Sequence, residues 1–365
     1  MSIVSTIKSY DIPLLLISGL LLMIGLAVQY AISLGEGDLQ VFWRQFIYVV
    51  LASGMFWLFS NYNYRLLTKV NRLIYALLIF ALLYLLWFGD PIRGSARWID
   101  FGFFRLQPAE LAKLSVGIGL SRWLYINRGQ INKLKNIFLT FGYAAVPAIL
   151  IAREPDLGSS LVVMAIWFGL ILISPIRKIF VVSFIIAGLI FAGASWQFLL
   201  HDYQKQRVEV FLNPDLDPQG QGYNVRQAII SVGSGQIWGR GLGKGVQSQL
   251  KFLPEKHTDF VFAASSEEIG FLGSASIVVL FFLLLQRLIK IMKTARDNLG
   301  RYLSGAILFL FASQVIVNLG MNLGLLPVTG IPLPLITFGG SSMLVSGIAL
   351  GIAQNIVRQS RIMPG

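Results

Sequence analysis

About ten apolar runs, each close to the ~20 residues a helix needs to cross a hydrocarbon core, follow one another along this chain. They lie roughly at 12–34, 42–61, 71–89, 107–126, 137–153, 157–174, 178–200, 260–286, 301–325 and 334–357. Only one connection is long, from about 201 to 259. Lipid offers no partner to a backbone N–H or C=O, so every such group must be satisfied within the span. These runs are too long and too uniformly apolar for barrel strands, which leaves helices. The chain therefore reads as an all-α polytopic membrane protein. It forms a single integral-membrane domain over 1–365, with one large extracytoplasmic loop at about 201–259.

Composition agrees. Charged residues make up 13% of the chain against 55% hydrophobic, about half the charged share of a soluble domain. The absence of cysteine excludes disulfides, thiolate catalysis and cysteine-based metal sites. A net charge of +13 could suit nucleic acid, but the basic residues form neither a patch nor an arm. They sit in short loops between apolar runs, which makes membrane lipids, not nucleic acid, the expected partner. The first run is long enough to span, and no small-residue cleavage site follows it, so it is read as a retained helix and not a signal peptide.

Positive charge sets the orientation. With the N-terminus inside, the inner loops hold Arg65, Lys69, Arg72, Arg122, Arg128, Lys133, Lys135, Arg177, Lys178, Arg287, Lys290, Lys293, Arg296 and Arg301, and the tails add Lys8, Arg358 and Arg361. The short outer loops hold only Arg44, Arg93, Arg97, Arg105 and Arg153. This bias places both termini in the cytoplasm. By parity, the unusual polar stretches face outward: RGSARWIDFGFFRLQPAELAK, REPDLGSS, the loop ending in PEKHTDF, and GLLPVTGIPLPLITFGGSS. Function is expected there, away from cytoplasmic nucleotides. The run GSGQIWGRGLGKG fits neither a P-loop nor G-x-G-x-x-G, and it reads as a tight loop that needs positive φ and close backbone approach.

Several residues in these stretches can carry chemistry. Asp259 closes the long loop and opens the eighth helix. It is either an N-cap or a general base at the membrane surface. His257, Lys256 and Glu255 crowd the same turn, and a lone histidine such as His257 is more often structural. Glu110 and Lys113, at i and i+3 on the fourth helix, are either a packing ion pair or the wall of a polar cavity in which Lys113 meets a phosphate. Asp156 is a possible cap of the sixth helix, flanked by Arg153 and Glu154. Glu267 and Glu268, inside the eighth helix, are expected to be bonded internally. The charges of the long loop, Arg207 among them, nearly cancel, as in a folded recognition element. The prolines and Gly-Gly-Ser-Ser of the last stretch mark broken backbone, tolerated at membrane depth only where it is buried or lines a cavity. No second copy of that break and no internal repeat is visible.

The strings RWIDFGFFRLQPAELAK, EPDLGSSLV, HDYQKQRVEVFLNPDLDPQGQGYNVRQAIISVGSGQIWGRGLGKGVQSQLKFLPEKHTDFVFAASSEEIG and NLGLLPVTGIPLPLITFGGSS resemble the SEDS family of bacterial shape, elongation, division and sporulation proteins. They occur in family order from the fourth helix to the tenth. The phrase QSQLKFLPEKHTDF and the short tails are more RodA-like than FtsW-like. The resemblance implies a ten-helix fold in the bacterial inner membrane and processive polymerisation of glycan strands from lipid II, in cell elongation and shape maintenance. It implies that Asp259 is the catalytic aspartate, that Glu110 and Lys113 are the functional pair of the fourth helix, and that Asp156 is the aspartate of the PDLG element. Alanine stands in QPAE where serine is common. A class B penicillin-binding protein, a transpeptidase, is the implied partner.

Lipid II carries an α-linked pyrophosphate and the new bond is β-1,4, so one inverting displacement suffices. It needs a base for the acceptor hydroxyl and cations for the leaving pyrophosphate. Asp259 is the expected base. Lys113 and Arg207, with nearby arginines such as Arg97, are expected at the substrate beside Glu110, Asp156 and His257. A divalent cation such as Mg or Mn could share the cationic role, although the sequence offers no dedicated ligand cluster. The competing readings are a lipid II flippase, a division-type polymerase and a non-enzymatic scaffold. A flippase needs polar chemistry open to both leaflets, whereas here it clusters on one.

Overall fold

The structure, a computed structural model, describes residues 10–89, 97–102, 105–198, 202–250 and 252–362. Lys8 and Arg93, used above for orientation, lie outside the described residues. Among those described, seven α-helices precede the long loop: α1 (Ile12–Glu36), α2 (Gln40–Asn61), α3 (Tyr64–Phe88), α4 (Pro108–Ile126), α5 (Leu134–Arg153), α6 (Leu157–Ile173) and α7 (Lys178–Phe198). The loop itself folds into α8 (Asp202–Leu212), α9 (Gln221–Ser234) and α10 (Val246–Gln249). Then come α11 (Val261–Thr294), α12 (Asn298–Asn322) and α13 (Gly340–Ile362). A short antiparallel pair, β1 (Ile99–Asp100) and β2 (Arg105–Leu106), precedes α4, with Ile99 opposite Leu106.

Eight of these helices are long and apolar enough to span a membrane. The two expected spans that fall short, α4 and α6, are interior. Packed among α3, α6 and α12, α4 has most of its residues buried and can carry Glu110 and Lys113 because it meets protein more than lipid. With 17 residues, α6 rises only ~26 Å. At the periphery stands α7, in which Ser195 alone is buried. Small residues let the interior helices close up, as lipid-embedded packing requires. A Cβ at Gly347 of α13 would stand 2.3 Å from the Ala52 carbonyl oxygen of α2. At the end of the bundle where α1 begins, Arg287 ties it: its guanidinium donates to Asp11 at 2.8 and 2.5 Å while Asp11 caps α1.

Three expectations are corrected. The third helix begins at Tyr64, seven residues before 71, because Asn63 caps it by accepting the Arg65 N–H. The tenth spanning helix begins at Gly340, not 334, because residues 323–339 are irregular. A second broken helix also exists. Gly270 interrupts α11 at φ 69°, ψ −169°, and the glycine-rich run fills the gap. Arg240 and Gly241 donate N–H to the carbonyls of Glu267 and Glu268, both at 3.0 Å. On the far side of the break, Phe271 and Leu272 donate to Gln236 and Ile237. The inserted loop thereby satisfies backbone groups that lipid would leave bare. It needs glycine twice over: Gly239 has φ 81°, and a Cβ there would stand 2.2 Å from the Glu268 carbonyl oxygen. Glu267 behaves as expected, accepting the N–H groups of Gln247 (2.8 Å) and Ser248 (3.0 Å). Glu268 is buried as well, and the Gly243 N–H faces its carboxylate.

Candidate active site

Asp259 sits on the approach to α11. The helix begins at Val261, its N-cap is Phe260, and no side chain of its own sequence caps it. The cap comes from another helix: Asn322, at the end of α12, accepts the Ala263 N–H on its side-chain oxygen at 3.0 Å. Its amide nitrogen donates to the Asp259 carbonyl at 2.9 Å, and Asn318 adds a second donor at 3.3 Å. The backbone of Asp259 is fixed while its carboxylate is spared capping duty. The Asp259 side chain therefore does not cap α11.

The half-buried carboxylate approaches the irregular segment: a Cβ on Gly330, which holds φ 74°, would stand 3.5 Å from its Oδ2. Thr329 and Ile331 in turn press on Gly158, at the start of α6. The Arg207 guanidinium of α8 reaches the Val328 carbonyl at 3.4 Å. Arg97 donates to the carbonyl of Glu154 at 2.9 Å and also to that of Pro155. Asp156 caps α6 through the Ser159 N–H (3.0 Å) and accepts from Gln107 (3.2 Å). Burial pushes the Asp259 carboxyl up to about 6. Glu255 and Asp156 add to the rise, and Arg207 and Arg97 oppose it. Those four charges thus act on the Asp259 carboxylate. A carboxyl near 6 is poised to take a proton at neutral pH.

The other expected residues have partners of their own. Glu110 and Lys113 form a wholly interior ion pair at 2.6 Å, with side chains 2% and 0% exposed. Glu110 Oε2 has no hydrogen-bond partner. His257 points to α1, its Nδ1 on Gln29 (2.8 Å) and its Nε2 on Glu36 (3.1 Å), while its carbonyl accepts from Phe338 at 3.0 Å. Burial holds its pKa below the usual histidine value, against the pull of Glu36. Its place is that of a latch between loop, α1 and the irregular segment. Among the described residues no group of three His, Asp or Glu side chains forms a metal-ligand set.

The FtsW/RodA/SpoVE family of cell cycle proteins matches residues 9–362. This chain belongs to that family. It is 40% identical over 272 residues to the peptidoglycan glycosyltransferase MrdB of Escherichia coli K12, covering 74% of this chain and 72% of that one. In structure it is similar to a chain from work on the coordination of polymerization and crosslinking by a peptidoglycan synthase complex. The TM-score is 0.82 at 27% identity, over 96% of this chain and 98% of that one. The rod shape determining protein RodA of Thermus thermophilus is also similar, with a TM-score of 0.70 at 25% identity over 97% and 98% of the two chains.

Within this family member, several site residues were invisible in the sequence. Asn318 and Asn322 lie four residues apart in an apolar helix and read as buried polar residues without a task. Gln107 and Ser341 join β2, α4 and α13, since the Gln107 N–H donates to Ser341 Oγ at 2.9 Å. Glu154 is 2% exposed, with both carboxylate oxygens unpartnered. Burial pushes its pKa up to about 8, helped by Asp156 and opposed by Arg97. Its only sequence signal was adjacency to Asp156.

Proposed function

We propose that this chain is a peptidoglycan glycosyltransferase that polymerises glycan strands from lipid II at the extracytoplasmic face of the membrane, in the elongation branch of its family. The observation that carries the reading is the uncommitted carboxylate of Asp259, raised to about 6 beside Arg207 and Arg97. Asp259 accepts the proton of the acceptor sugar hydroxyl as that oxygen attacks the anomeric carbon. The bond to pyrophosphate breaks with inversion, and the departing charge is met by arginine. Arg207 and Arg97 are the cations whose charges act on the Asp259 carboxyl. Lys113 is held inside the bundle by Glu110 Oε1 and keeps further N–H donors with which it can meet a phosphate.

The similarity to a chain of a peptidoglycan synthase complex supports a crosslinking partner, for which a class B penicillin-binding protein is the fitting candidate. The full chain, purified in detergent and given lipid II, should build polymer resolvable on a gel. Lipid II moved between leaflets without polymer would favour the flippase reading instead.

A further inference from the structure

A second polar site lies at the opposite end of the bundle. Between α3, α4 and α5, at the end where the positive-inside bias places the cytoplasm, a cavity of about 360 Å³ is lined by Thr68, Asn71, Arg72, Arg122, Trp123 and Tyr143, with leucine, isoleucine and glycine among the rest. No carboxylate lines it. Its neutral polar groups are already engaged. Asn71 donates to the Ser115 carbonyl at 3.0 Å and accepts from Ser115 Oγ at 3.0 Å, and Thr68 donates to the Arg65 carbonyl at 2.8 Å. What is left over is guanidinium. Arg122 reaches Thr68 at 3.5 Å through Nη1, but its Nε is buried without an acceptor. Neither Arg72 nor Arg122 is in an ion pair among the described residues.

Two unneutralised guanidinium groups in a partly apolar cavity at the membrane interface call for an anion that can accept several N–H groups at once, and phosphate fits that need. The cavity's apolar wall reaches the lipid-facing surface, since Leu139 and Ile126 are 52% and 58% exposed. A Cβ at Gly119 would stand 2.1 Å from the Tyr143 hydroxyl, so glycine there lets Tyr143 lie across α4. Basic pockets between helices on the inner side suit anionic headgroups. We propose that this cavity binds a phosphate group at the cytoplasmic face, presented by an anionic phospholipid of the inner leaflet or by a free phosphate compound. The site is separate from the Asp259 chemistry and does not depend on it.

Native mass spectrometry of the full chain with phosphatidylglycerol or phosphatidylcholine tests this. Phosphatidylglycerol should be retained preferentially, and the double variant Arg72→Gln/Arg122→Gln should lose about tenfold in retention. Leu139→Trp, which fills the lipid-side wall and keeps both charges, should lose it too, so a misfolded double variant does not shelter the proposal. Arg128→Gln, outside the cavity on the same loop, should have no effect. Lipid adducts that resist millimolar inorganic phosphate identify a lipid source, and adducts that phosphate displaces identify a soluble one. Equal retention by wild type and Leu139→Trp, or an equal loss in Arg128→Gln, overturns the site.

Discussion

The Asn322 side chain caps α11 and holds the Asp259 carbonyl at the same time, at 3.0 and 2.9 Å. One asparagine on α12 thereby does the work that an aspartate at a helix start would ordinarily do for itself. The Asp259 carboxylate is left uncapped and its backbone is held, which suits the base proposed for it.

Asn322→Ala should therefore act in two ways. It leaves the buried Ala263 N–H and Asp259 carbonyl short of a partner, at a cost of about 1–3 kcal/mol in stability. It also loosens the base, so polymerisation per folded molecule should fall while lipid II binding is largely kept. A thermal melt beside a turnover assay separates the two. A destabilised variant with unchanged turnover would make Asn322 a packing residue only.

The pH profile of polymerisation should follow Asp259. Its folded pKa of about 6 stands above the ordinary 3.8, so the carboxylate form, the working base, dominates above about 6. Below that, the rate should fall about tenfold per pH unit. The linkage has the opposite sense. Between 3.8 and about 6 the folded state holds a proton the unfolded state has released, so stability declines as pH rises through that window and is level above it. Ionised Asp259 then costs the fold on the order of 3 kcal/mol at neutral pH. An acid limb in the rate–pH profile well below 5 would contradict this assignment.

The Glu110–Lys113 pair should show the asymmetry of a buried ion pair. Removing one partner strands a charge and costs about 3–5 kcal/mol, whereas replacing both by apolar or neutral groups is far milder. Lys113→Met alone should melt lower than Lys113→Met with Glu110→Gln. Each single alanine variant should lose activity, and full polymerisation by Lys113→Ala would remove Lys113 from the pyrophosphate.

Much of this arrangement was legible beforehand, and the limits have physical causes. Hydropathy marks spans because lipid penalises anything else. Of the ten runs, α4 is mostly buried in protein and α6 is only 17 residues long. Asp259 stood out because an acid at a membrane boundary is costly. Its freedom from capping did not, because the cap comes from Asn322, 63 positions away in sequence. The second helix break was hidden because Gly270 alone carries it, and the strand of backbone that repairs it, around Gly239, is remote in sequence. A single glycine in an apolar run reads as packing.

Orientation rests on charge bias, and reporter fusions check it. Fusions after Arg128 and Arg296 should read cytoplasmic, and one near Asp217 external. An internal signal at Asp217 would move the Asp259 site to the wrong side for extracytoplasmic polymerisation and would reverse the face assigned to the arginine-lined cavity.

The most direct measurement is glycan polymer formed from lipid II by purified, folded Asp259→Asn, set beside a thermal melt. Asparagine keeps the size of the side chain and cannot take up the proton. Because the native carboxylate caps nothing and is costly to ionise, the variant should melt no lower than wild type. Polymer yield should fall by about 10²–10⁴-fold, the usual worth of a general base. A variant that melts normally and polymerises at a near-wild-type rate would contradict the account.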